Sequence, residues 1–323
     1  NIRQVLPGQM LVVTERGIQP KTYWNWSFPE SPGEYRSEPA DRLADELHDL
    51  LSDATRIRLR SDVPVGAYLS GGLDSSILAS IIRSEGSAKL RTFSIGFEDA
   101  DLDESAFQRE MVARLGTEHS EIRCRNDDIA QQFVNTIWAT ESPVVRTAPV
   151  AMKLLSGLVH QSQYRVVLTG EGADEVFGGY DLFKEAKIRR FWSRYPQSRL
   201  RPLLLKRLYP YLDLSGSQSL TYLQKFFGVG LNQPDSIGFS HLPRWETTAR
   251  TKEFLVRDAR VGDDAAIGAL ADALPPEFSR WHPFNRAQHL EARTLMAGYL
   301  LSSQGDRMLM ANSVEGRFPY LDH

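Results

Sequence analysis

A single cysteine, Cys124, occurs in the 323 residues. It cannot close a disulfide within the chain, so no cross-linked framework replaces a core, and a reducing, cytoplasmic setting is expected. No apolar run approaches the ~20 residues of a membrane span, and no secretory leader opens the chain. A membrane partner is therefore not expected. Charge of one sign is lacking too. The 38 Lys and Arg residues face 41 Asp and Glu residues, a formal net charge of −3. That balance denies the molecule the overall positive field of a nucleic-acid binder. Internal repeats and low-complexity tracts are missing. What remains is a globular composition, 41% hydrophobic and 24% charged, long enough for about two domains at ~150 residues each.

The most informative stretch is Val-Pro-Val-Gly-Ala-Tyr-Leu-Ser-Gly-Gly-Leu-Asp-Ser-Ser, residues 63–76. The run from Val65 to Leu69 reads as a short buried strand. It breaks at Ser70-Gly71-Gly72, and a helical pattern follows with Ile77, Leu78, Ile81 and Ile82 on one side. A strand, a glycine turn and a helix N-terminus make an anion cradle. Glycines let backbone N–H groups approach a ligand, and the helix dipole points at the same spot. Ser70, Ser75 and Ser76 add hydroxyls. Asp74 repels phosphate unless a cation lies between them, so it reads as a Mg²⁺ ligand. No Gly-Lys-Ser/Thr is present, which excludes a Walker A loop. An ordinary capped turn is the competing reading.

The rest of the chain alternates. A β-like run covers 10–14, and the Pro/Gly/Ser-rich stretch 29–39 reads as a linker against which Tyr23, Trp24 and Trp26 pack. Leu43, Leu47, Leu50, Leu51, Ala54 and Ile57 predict an amphipathic helix over 40–60, with Ser37 as its N-cap. Strands are predicted at 90–97, 119–122 and 164–169, and helices around 106–115, 129–138 and 150–159. Such alternation implies a mostly parallel sheet whose ligands bind at the C-terminal strand edges. From Asp181 onward the pattern is helical. Lys184, Lys187, Arg189, Arg190, Arg194, Arg199, Arg201, Lys206 and Arg207 form a basic run with interleaved aromatics. It reads as a solvated helix face, with RNA binding as the alternative. A last helix is predicted over 284–302.

The second motif follows the last strand: Thr169-Gly170-Glu171-Gly172-Ala173-Asp174-Glu175, continuing to Gly178-Gly179-Tyr180. Three carboxylates in so short a span are costly beside one another without a cation. A magnesium–pyrophosphate site would supply one.

The first motif resembles the pyrophosphate loop of the ATP pyrophosphatases. Val-Pro-Val-Gly before it, the second motif, Gly305-Asp306-Arg307-Met308 and the closing Glu315-x-Arg317-x-Pro-Tyr-Leu-Asp-His resemble the glutamine-hydrolysing asparagine synthetase family. Thr169 stands where that family has Ser. Tyr320 stands where its closing block has Phe. The resemblance implies an α/β fold, a mostly parallel Rossmann-like sheet of the ATP pyrophosphatase type with a helical C-terminal half. It divides the chain into the tail of a glutaminase domain plus linker (1–36), the ATP-binding core (37–180) and an incomplete helical part (181–323). Both ends then read as cuts in a longer protein, with the family's catalytic lysine beyond residue 323.

The same resemblance implies ATP and Mg²⁺ as cofactors. It assigns Ser70, Gly71, Gly72, Asp74, Ser75 and Ser76 to pyrophosphate, Leu69 and Ile95 to adenosine, and Thr169 and Gly170 to the ribose and α-phosphate. Asp74 and Asp174 become metal ligands, Glu171 the general base, and Arg146 the grip on a substrate carboxylate, with a surface ion pair as the competing reading of Arg146. Lys153 falls where the family often has Tyr, which leaves the acyl group open. The implied reaction is adenylation of a carboxylate, by default aspartate, followed by attack of ammonia from a glutaminase domain to give an amide. A homodimer fits the family. A lactam- or peptide-cyclising enzyme, a tRNA-modifying pyrophosphatase and a silent nucleotide-binding module are the alternatives. Glu315, Arg317 and Asp322 are expected to pair and hold the helical half.

Overall fold

The computed structural model describes residues 5–86, 90–144, 146–209, 217–260 and 262–323. The elements, in chain order, begin with β1 (Gln9–Thr14), β2 (Gly17–Thr22), α1 (Ala40–Arg58), β3 (Val65–Tyr68) and α2 (Leu73–Ser84). Next come β4 (Arg91–Phe97), α3 (Ser105–Leu115), β5 (Glu118–Cys124), α4 (Asn126–Thr140), α5 (Ala148–Gln161), β6 (Val166–Leu168) and α6 (Ala173–Phe177). The helices α7 (Asp181–Ser193), α8 (Leu205–Leu208), α9 (Ser217–Phe227), α10 (Leu242–Ala249), α11 (Asp263–Asp272) and α12 (Pro283–Glu291) follow. A π-helical segment (Ala292–Asp306), α13 (Arg307–Met310) and β7 (Glu315–Arg317) close the chain.

The chain forms two compact units, one of residues 1–11, 37–177 and 293–323, the other of 12–36 and 178–292. The first is an α/β unit around a five-stranded sheet of order β5-β4-β3-β6-β7. Its four strand pairings are all parallel. Parallel strands are covered on both faces, which explains why β3 and β6 read as unbroken apolar runs. Side chains alternate across a strand. Ala67, Leu69 and Leu168 accordingly join Leu78, Ala79 and Ile82 of α2 in one cluster. Tyr68, Val167 and Phe93 join Leu155 and Val159 of α5 in another. Each such fully buried Leu or Phe stabilises the fold by ~1.5–3 kcal/mol.

Order around β3 is what matters for function. The chain leaves β3 toward β4 and β5 on one side and later returns through β6 and β7 on the other. Open parallel sheets bind ligands at such a reversal, above the C-terminal strand ends. Here β3 and β6 are neighbours in register, Val65 opposite Val166 and Ala67 opposite Leu168. Their exits, residues 69–72 and 169–172, therefore emerge side by side.

Two local expectations are corrected. Pro39, not Ser37, occupies the cap of α1, and no side chain caps it. The closing residues do not form the expected triple: Arg317 Nε bonds Glu315 at 2.7 Å, whereas Asp322 pairs with Arg58 of α1 at 2.8 Å. All four lie in the α/β unit.

The second unit is helical. Trp26 stacks on Phe28, which meets Trp281 edge-on at 5.0 Å, so the aromatics of the early stretch pack within this unit. Arginines of the basic run are engaged within the unit, Arg189 and Arg201 among them. Arg189 is fully buried, donating to the carbonyls of Phe227, Val229 and Phe239 and lying over the Phe239 ring. Arg201 stacks on Phe191 at 4.1 Å and Tyr195 at 4.2 Å.

Candidate functional site

The first loop is ordered by its own serines. The Ser70 amide donates to Ser75 Oγ at 3.2 Å, the two hydroxyls lie 3.0 Å apart, and the Gly72 amide donates to Ser70 Oγ at 3.2 Å. Gly72 then caps α2 in extended conformation. The hydroxyl of Ser76 is buried and has no hydrogen-bond partner among the described residues. A buried hydroxyl without a partner carries a desolvation cost that a ligand oxygen would relieve. Ser94 Oγ bonds the Leu69 carbonyl, and Gln108 Nε2 bonds that of Ile95 at 3.0 Å. Leu69 thus directly follows β3, and Ile95 lies in the C-terminal half of the neighbouring strand β4.

Gly71 is required by geometry. Its φ is +84°, and a Cβ there would lie 2.7 Å from Phe107 Cβ and 2.8 Å from the Gln108 amide nitrogen. Both the backbone and the space exclude a side chain. Gly71→Ala is expected to lower unfolding free energy by about 2 kcal/mol or more, read from denaturant titration, and to weaken nucleotide binding.

The second loop begins where the Thr169 amide donates to the Arg317 carbonyl at 3.0 Å. Gly170 lets it close on the first loop. A Cβ on Gly170 would sit 3.1 Å from the Ser75 amide nitrogen and 3.3 Å from Asp74 Cβ. Gly172 turns at φ +93° with the Leu321 side chain where its own Cβ would be. The two loops are thereby packed backbone against backbone.

The electrostatics follow from that closeness. Asp74 and Asp174 are both half-buried. Burial raises the pKa of each, and the charge of Asp74 raises Asp174 further. Two carboxylates held together at that cost fit a cation between them. No cluster of three or more His, Cys, Asp and Glu suited to a metal occurs among the described residues. A magnesium ion held here would thus take most of its shell from water and phosphate oxygens, as it usually does.

Glu171 sits under different control. Burial pushes its carboxyl up to about 7, a hydrogen bond from Thr169 Oγ1 at 2.7 Å opposes this, and the charges of Asp306 and Glu175 add to the rise. The hydroxyl of Tyr68, buried and without a partner among the described residues, is raised by burial and by the Glu171 charge.

Arg146 stands apart from this network. It is exposed; burial raises the pKa of the Tyr299 hydroxyl in the π-helical segment, and the Arg146 charge opposes that rise. Three contributors escaped the sequence reading. Tyr320 Oη donates to the Asp74 carbonyl at 2.9 Å, and burial and Asp74 push its own pKa to about 12. Asp306 and Tyr68 border Glu171. Two signals were in the sequence: Asp306 stands in the Gly305-Asp306-Arg307-Met308 block, and Tyr320 replaces the resembled Phe, which gains a hydroxyl for that bond.

The comparisons with known proteins agree with this architecture. The family model described as asparagine synthase matches residues 46–323. An amidase, chyE, of Penicillium rubens is 28% identical over all of this chain and 51% of its own length. The glutamine-hydrolysing asparagine synthetase 1 of Bacillus subtilis is 29% identical over all of this chain and 48% of its own. An amidase, chry2, of Gibberella zeae is 27% identical over all of this chain and 50% of its own. The chain thus spans about half the length of these curated relatives. With the family model covering residues 46–323, the chain belongs to the asparagine synthase family.

Proposed function

We propose that this chain carries out the ATP-dependent half of an amide-forming reaction. A substrate carboxylate oxygen attacks the α-phosphorus of ATP, and the bond to the β-phosphate bridging oxygen breaks. Acyl-adenylate and pyrophosphate form. Ammonia then adds to the acyl carbon, and AMP leaves with the bond electrons as the amide forms.

Each side chain has a task in this scheme. The amides and hydroxyls of Ser70, Gly71, Gly72, Ser75 and Ser76 receive the charge that develops on pyrophosphate. Leu69 and Ile95 border adenine, and Thr169 and Gly170 the ribose and α-phosphate. Magnesium, held by Asp74 and Asp174, would supply positive charge at the pyrophosphate oxygens. Glu171, poised near neutrality, accepts the proton lost by the attacking ammonia. Arg146 offers a fork for a carboxylate on the acyl substrate. The observation that carries the reading is the contact of the two loops at Gly170, which puts Asp74 within reach of Asp174.

Residues 1–36 are proposed as the end of a glutaminase domain and its linker, the source of ammonia. Aspartate is the default acid. The match to two proteins named amidases favours a second reading, in which another carboxylate is amidated or cyclised. Exchange of labelled pyrophosphate into ATP by full-length protein, tested with a panel of carboxylates, decides. Exchange with aspartate supports the default, and exchange with another acid alone supports the second reading. No exchange with any acid, in protein that retains the family lysine, overturns the proposal.

A further inference from the structure

The helical unit contains a cleft of about 540 Å³ that the proposed ligase chemistry does not use. Its volume falls within the range of small-molecule sites, ~300–1,000 Å³. One wall is a single face of α7 and its C-cap, on which Lys187, Arg190 and the capping Arg194 recur at helical spacing. The opposite wall is the start of α12, which brings His282, Phe284 and Arg286. The segment carrying Pro234, Ser236 and Phe239 closes the end.

The lining holds four permanent cations and no Asp or Glu. Arg190 and Arg286 both grip the 234–236 segment: Arg190 Nη2 bonds the Pro234 carbonyl at 2.9 Å, and Arg286 Nη2 bonds the Asp235 carbonyl at 2.9 Å. Among the described residues only Arg190 of the four reaches a carboxylate, that of exposed Asp235 at 3.1 Å. The two guanidiniums repel one another, and burial together with the Arg190 charge holds the Arg286 pKa below its usual value. Lys187 and Arg194 have no ion pair or side-chain hydrogen bond among the described residues. The hydroxyl of Ser236 is buried without a partner among the described residues. His282 Nδ1 accepts from the Phe284 amide at 3.2 Å, so the neutral ring carries its proton on Nε2 and remains a donor. Donors and positive charge thus surround an apolar floor, where the Phe183 and Phe284 rings lie 5.3 Å apart and tilted by 55°.

The floor is firmly held. Arg189 locks Phe239 through its carbonyl and ring, and Ser240, His241 and Glu291 form a buried hydrogen-bonded chain, 2.8 and 2.7 Å, behind it. A site shaped in advance loses little entropy on binding.

We infer that this cleft binds a small aromatic anion, a ring bearing one phosphate or carboxylate, with the ring on the phenylalanines and the head between α7 and α12. Isothermal titration of the full-length protein tests it, with AMP and magnesium pyrophosphate present to fill the nucleotide loops. Phenyl phosphate is the probe. Inorganic phosphate lacks the ring, and benzylamine carries the opposite charge. Phenyl phosphate is expected to bind at one site, about tenfold or more tighter than either control. Lys187→Glu/Arg194→Glu alters two exposed, unpaired residues and leaves the fold intact by circular dichroism. It is expected to weaken phenyl phosphate about tenfold or more and to strengthen benzylamine. Equal affinity for the three probes, or phenyl phosphate binding that the double variant leaves unchanged, would overturn the inference.

Discussion

Asp74→Asn is expected to reduce pyrophosphate exchange by about 10²–10³-fold or more, and Asp174→Asn to reduce it comparably. The side chains keep their shape, and the loss falls on charge alone. Both carboxylates are held where burial disfavours their ionised form, and Asp174 also feels Asp74. Such an arrangement costs the empty protein stability. The sign is definite. A carboxyl raised in the folded state stabilises the fold once protonated, so this contribution is full below the unfolded pKa and is lost as pH rises through the folded one. At neutral pH each substitution removes a penalty. The variants are therefore expected to melt roughly 1–3 °C higher than the parent without ligand, while losing the stabilisation that magnesium and ATP give the parent. A variant equally inactive but less stable would mean that the carboxylates hold the loops together.

Glu171→Gln should separate the two half-reactions. Adenylation needs no base at Glu171, so pyrophosphate exchange is retained, whereas amide formation falls about 10²–10⁴-fold. The base works only when ionised. With its carboxyl raised to about 7, amide formation in the parent should decline as pH falls through neutrality. Thr169→Val removes the hydrogen bond that lowers this pKa. The acidic limb of the rate profile then moves to higher pH, and Thr169→Ser restores it. A limb that stays in place in Thr169→Val would exclude Glu171 as the titrating group.

Both loops were legible in the sequence because they break apolar runs with residues that serve no strand or helix. Ser70-Gly71-Gly72 ends β3, and Gly170-Glu171-Gly172 follows β6 at once. Alternation of strands and helices was enough for a parallel sheet. It did not give the order that makes β3 and β6 neighbours, because pairing is a property of the whole sheet. Nor did it give β7. Three residues with Gly316 between two charged side chains, Glu315 and Arg317, have no apolar period, and pairing with β6 alone makes them a strand.

The predicted last helix is α-helical only to Glu291 and π-helical from Ala292 to Asp306, since spacing of apolar residues does not distinguish two helices of similar pitch. Tyr68, Asp306 and Tyr320 were hidden for a related reason. Each lies inside a motif block that assigns it no role of its own, and its meaning comes from a partner far along the chain. The basic run shows the reverse limit: its sequence looks uniform, yet Arg189 is buried on carbonyls while Lys187 faces solvent.

Two loops from adjacent strands are proposed to serve one divalent ion on one triphosphate. Manganese, substituted for magnesium and followed by electron paramagnetic resonance in full-length protein with ATP, tests it without relying on turnover. The expected result is an ATP-dependent ion whose signal is lost in both Asp74→Asn and Asp174→Asn. An ion that survives unchanged in either variant would contradict a shared site.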